Sequence, residues 1–138
     1  MAPVNPMMQY QTQREETATP GMVTVMLFEE IIKNINIASK AIDDNNIQDS
    51  HDALVKAENI YLTLANFLDE RFEISKSLLR MYEFLASRII DANMRKDKEI
   101  LKEVMEFTVD FRDTWRQAEK HLHIEQTGGR INVKSVKR

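Results

Sequence analysis

From residue 19 onward, apolar side chains recur at steps of three and four, the spacing that lines one face of an α-helix. Thr19 is suited to cap a helix N-terminus, and Pro20 suits the first helical position, where its missing N–H costs nothing. A first helix is therefore predicted from about Pro20 to Ile42. The run Asp43-Asp44-Asn45-Asn46 ends it, because these side chains compete for backbone hydrogen bonds and favour turns. Ala53, Leu54, Ala57, Ile60, Tyr61, Leu64, Phe67 and Leu68 then predict a second helix over roughly Asp49 to Leu68. After Asp69-Glu70-Arg71, the series Ile74, Leu78, Tyr82, Leu85, Ile89 and Ala92 predicts a third, Glu73 to Met94. Asp97 can cap the fourth, Lys98 to Ile124, whose stripe is Ile100, Leu101, Val104, Phe107, Thr108, Phe111, Trp115, Ala118 and Leu122. Gly128-Gly129 provides its stop. Four helices of similar length with short polar connections predict an all-α fold, an antiparallel up-down-up-down four-helix bundle.

Composition narrows this further. Residues 22 to 127 contain neither glycine nor proline, which a turn-rich sandwich or barrel could hardly achieve. A length of 138 residues supplies one core. The chain divides into a flexible N-terminal arm (1–18), the bundle (19–127) and a disordered basic tail (128–138). The net charge of −3 provides no field to hold nucleic acid, and the one basic concentration, Arg130, Lys134, Lys137 and Arg138, falls in the tail. Cysteine is absent, which removes disulfides and thiolate chemistry and suits a reducing compartment. No apolar run reaches 18 residues and the start lacks a leader pattern, so a cytosolic protein without membrane insertion is expected.

The encoded chemistry is sparse. A di-metal bundle needs Glu-x-x-His pairs, and His51, His121 and His123 are preceded three positions back by Gln48, Ala118 and Lys120. Neither a metal nor a cofactor is expected. The four stripes hold no general acid, base or nucleophile, only tyrosines and Thr108 among apolar residues, so no enzyme is expected. Phe107, Phe111 and Trp115 at helical spacing read as core. More informative is an apolar surplus beside each stripe: Phe28, Ile32 and Val25 on the first helix, Val55 and Leu62 on the second, Leu79 and Ile90 on the third, Met105 and Val109 on the fourth. A wide buried face with scattered exposed residues explains it equally well. The alternative is a set of surface grooves that accept the apolar face of a partner helix, and eight methionines suit such an adaptable surface. An all-helical small-molecule enzyme or regulator, or a homodimer formed through the same strips, also remains open.

The order of motifs adds a further reading. Tyr10 followed by a polar stretch and Ala18-Thr19-Pro20, then Leu27-Phe28-Glu29, Ala53-Leu54-Val55-Lys56-Ala57-Glu58-Asn59-Ile60 and Leu78-Leu79-Arg80-Met81-Tyr82 occur in sequence. Ala92-Asn93 to Asp97, Ile100-Leu101-Lys102-Glu103-Val104 and Trp115-Arg116-Gln117-Ala118 complete the series. Over about residues 10 to 118 the chain resembles the flagellar secretion chaperone FliS family. Glu30 stands where that family usually has glycine, Phe28 where it has tyrosine, and Arg71-Phe72 where it commonly has Gly-Gly. The resemblance implies a cytosolic helical bundle that binds the disordered C-terminal segment of flagellin, masks its polymerising surfaces and presents it to the flagellar export apparatus. It also implies that an N-terminal arm bearing Tyr10 covers part of the groove until flagellin displaces it. The assignment of Phe28, Ile32, Val55, Leu62, Leu79, Ile90, Met105 and Val109 to the grooves rests on the residues alone.

Overall fold

The computed structural model describes residues 19–123. They form four α-helices: α1 (Pro20–Asp43), α2 (Ile47–Asn66), α3 (Glu73–Arg95) and α4 (Lys98–His123). The boundaries fall within two residues of those expected, and Ile124 lies outside the described residues.

Local chemistry sets the ends. The Thr19 side chain accepts the Met22 N–H at 3.1 Å, with Pro20 opening the helix. Asn45, at φ 57°, turns the chain out of α1, and the Asn46 N–H closes on the Ala41 carbonyl at 2.7 Å. Asn46 in turn caps α2 by accepting the Asp49 N–H at 3.1 Å. Lys96, at φ 51°, ends α3 in the same left-handed manner, and Asp97 caps α4 by accepting the Glu99 N–H at 2.9 Å. The α2–α3 connection is built differently. Phe72 offers α3 no side-chain cap, and the loop is closed by Asp69. Its carboxylate accepts from the Arg71 backbone and guanidinium, and its carbonyl accepts the Ser75 hydroxyl at 2.6 Å. Where the family resemblance has Gly-Gly, this chain therefore uses a polar clasp.

Helices adjacent in sequence pack together, α1 closes the ring against α4, and diagonal helices meet only through side chains across the core. Lys98 on Asp43, Arg116 on Glu29 and the Thr19 hydroxyl on Glu119 fix α1 and α4 as antiparallel. The core is one cluster, from Val23, Leu27 and Ile31 through Leu54, Tyr61 and Tyr82 to Leu101 and Val104. Four buried polar side chains sit in it: Asn34, Ser50, Ser75 and Thr108.

Several expectations require correction. Phe28 is completely buried, at 0% exposure, and Val25 is also buried, so neither lies on an outer strip. α1 is packed closely by both α2 and α4, and its buried arc is wider than one stripe, with Phe28 meeting Tyr61, Tyr82 and Phe111 across the core. Conversely Phe67, Ile74, Phe107, Ala118 and Leu122 keep the spacing of a core stripe and are exposed. Helical spacing alone therefore does not decide burial at these positions. Phe111 and Trp115 pack against the core while partly exposed.

Candidate functional site

Polar contacts between helices identify which flank of each helix faces which neighbour. His51 of α2 hydrogen-bonds Asn93 of α3 at 3.0 Å. On α2, positions 51, 55, 58 and 62 follow at steps of four, three and four, so Val55 and Leu62 lie on the His51 side. On α3, positions 79, 83, 86, 90 and 93 do the same and bring Leu79 and Ile90 to the Asn93 side. These four apolar residues therefore edge one groove, α2/α3. Leu62 and Ile90 are 39% and 40% exposed, while Val55 and Leu79 are half-buried. The groove runs into an open depression of about 870 Å³ beside the Asp69 clasp, walled by Ala65, Leu68, Ser75 and Leu79.

The same reasoning places the others. Glu29 and Asp43 of α1 meet Arg116 and Lys98 of α4. Ile32 lies one turn from Glu29, and Met105 and Val109 lie on the steps 98, 102, 105, 109, 112, 116. Ile32, Met105 and Val109, all half-buried, thus edge the α1/α4 groove on the opposite side of the ring. Of the sequence-predicted residues, seven fall into two opposed grooves, Phe28 belongs to the core, and Tyr10 lies outside the described residues.

A third groove escaped the sequence reading. Arg88 of α3 bonds Glu103 of α4 at 3.0 Å. Stepping back from Arg88 gives Phe84, Met81, Ser77 and Ile74, and stepping on from Glu103 gives Phe107. Ile74 and Phe84 are 67% and 45% exposed. The missed signal was Phe84, which fits no core stripe yet sits seven residues from Ser77 and four from Arg88.

Under these surfaces lies an aromatic interior. Phe28 stacks on Phe111 with ring centroids 5.6 Å apart, and Tyr82 meets Phe111 edge-on at 5.5 Å. Tyr61 and Tyr82 lie 5.8 Å apart. The Tyr61 and Thr108 hydroxyls share a 2.5 Å hydrogen bond, and Thr108 donates to the Val104 carbonyl at 2.7 Å. Burial pushes the Tyr82 hydroxyl up to about 12, against a smaller opposing effect of hydrogen bonding with Trp115. Burial raises Tyr61 further still, outweighing the bond to Thr108. Phe28 thus occupies an interior position that needs no hydroxyl. Above the aromatic cluster, a pocket of about 200 Å³ opens between Pro20, Thr24, Leu64, Phe67 and Trp115, with Tyr82 in its wall.

Among the described residues no cluster of His, Cys, Asp and Glu could hold a metal ion, and no helix is long and apolar enough to cross a membrane. The described residues thus offer apolar groove edges, polar crossings between helices and an apolar pocket.

Comparison with known proteins agrees in kind. The family described as Flagellar protein FliS matches residues 3–122. The flagellar secretion chaperone FliS of Bacillus subtilis is 38% identical over 118 residues, covering 86% of this chain and 89% of that protein. Its namesake in Escherichia coli is 30% identical over 105 residues, covering 74% and 77%. That of Vibrio cholerae is 27% identical over 108 residues, covering 77% and 79%. A bundle with two opposed apolar-edged grooves, matched by these sequences along most of its length, belongs to the FliS family of flagellar secretion chaperones.

Proposed function

We propose that this protein holds the disordered C-terminal segment of flagellin in its surface grooves, keeps it from polymerising, and delivers it to the flagellar export apparatus. The act is binding without catalysis. One observation carries the reading: Val55, Leu62, Leu79 and Ile90 edge one side of the bundle, and Ile32, Met105 and Val109 edge the opposite side. A single flat patch would suit a folded partner. Two apolar strips on opposite faces suit a chain that passes around the bundle and places one apolar helix face in each. A disordered segment loses entropy when it orders, so burial at about 25 cal/mol per Å² must supply the affinity. The arm bearing Tyr10 would compete for the same apolar cover, and removing residues 1–14 should then change flagellin affinity or association rate.

Titration calorimetry with a peptide of flagellin's C-terminal segment, paired with circular dichroism, tests the reading. One-to-one binding with gained helicity and a negative heat-capacity change is expected. Val55→Asp with Leu62→Asp should abolish most of the heat while leaving the protein's own helicity and melting intact. Absence of heat and helicity gain with both components folded would overturn it.

A further inference from the structure

We propose that the C-terminal segment of this chain, residues 130–138, seats itself in the α3/α4 groove and covers it. The groove is apolar at its floor, with Ile74, Phe84 and Phe107 exposed and Met81 half-buried. Its α4 rim is of one sign. Glu99, Glu103, Glu106 and Asp110 follow at steps of four, three and four along the α3-facing side. Among the described residues, Glu103 is paired with Arg88, while Glu99, Glu106 and Asp110 have no cation within ion-pair distance. On the opposite rim Arg88 is already neutralised by Asp91 and Glu103.

The segment has the matching chemistry. Arg130, Lys134, Lys137 and Arg138 are interspersed with Ile131, Val133 and Val136, and no acidic side chain interrupts them. β-Branched residues favour extended backbone, and the segment's four cations are opposite in charge to the carboxylates of the rim. Position agrees as well. α4 ends at His123, at the end of the bundle where α3 begins. A return along α4 requires a reversal, which the sequence Gly128-Gly129 would permit. Nine extended residues span about 30 Å, the rise of about 20 helical residues, enough to run from the end of α4 back to Glu103. The contact does not depend on what occupies the two other grooves.

Zero-length carbodiimide cross-linking of the full chain, followed by peptide mapping of the monomer, tests the proposal because it joins a lysine only to a touching carboxylate. Amide bonds from Lys134 or Lys137 to Glu106 or Asp110 are expected, falling several-fold in high salt. Phe84→Ser with Phe107→Ser should reduce the same bonds several-fold while circular dichroism remains unchanged. Three results would overturn it: bonds spread evenly onto Asp49, Asp52 and Glu83; bonds found between two molecules, which would indicate a second copy; or bonds insensitive to the two serine substitutions.

Discussion

Tyr61 sits on α2 and Thr108 on α4, helices whose backbones stay apart, so their 2.5 Å hydrogen bond spans the diagonal of the core. Breaking one half leaves a buried polar atom without its partner, which costs more than removing both. Thr108→Val should destabilise by about 1–3 kcal/mol, whereas Tyr61→Phe combined with Thr108→Val should cost less than the single change; chemical denaturation of the four proteins of the cycle measures this. The two tyrosines also impose an alkaline limit. An unfolded tyrosine titrates near 10, and Tyr82 is held near 12 by burial, so the native state keeps a proton that the unfolded chain releases. Stability from this source is complete below about pH 10 and is lost as pH rises through about 12. Melting followed across that range should fall, and Tyr82→Phe should flatten the slope. Phe28 gives a third measurement. Stacked on Phe111 and fully buried, it should lose about 3–5 kcal/mol on replacement by alanine, unfolding the protein before binding can be read. Leu62→Asp, on an exposed edge, should leave melting nearly unchanged.

At the level of elements, the helix ends were the most legible part of the sequence. Thr19-Pro20 and Asp97 announce their caps, and both act as caps in the structure. The reason is local: a capping side chain and the amide it serves lie within three residues, so no tertiary information is needed. Lys96 carries no such announcement, since a lysine at positive φ pays about 1 kcal/mol or more for its Cβ. Lys96→Gly should raise stability by about that amount, while Asn45→Gly should change little, because asparagine tolerates the left-handed region; thermal melting separates the two. What the sequence could not convey is how closely a neighbouring helix covers each face. Ile74 and Phe107 obey the same three-and-four rule as Leu85 and Val104, yet the first pair is exposed and the second buried. Phe28 errs in the other direction, placed off-stripe by spacing and buried by the second neighbour of α1. Helical periodicity fixes angles about one axis, and the distance between axes is set by the whole core.

For the molecule as a whole, the proposed function makes the two grooves on opposite sides two stations for one chain. Once a segment is held in the first, it meets the second at high effective concentration, so disabling either should weaken binding by about a hundredfold or more. Val55→Asp with Leu62→Asp against Met105→Asp with Val109→Asp, each titrated with the same flagellin peptide, measures this; a loss confined to one pair would reduce the surface to a single station. Finally, the ring closes by bringing the last helix against the first, through Lys98 and Arg116 on Asp43 and Glu29. During synthesis, α2 and α3 can pair as soon as both have left the ribosome, whereas the α1/α4 side has no second wall until translation is nearly finished. On the proposed function, a growing chain therefore carries half a binding surface, and a client would be gripped from both sides only by a chaperone whose own synthesis is complete.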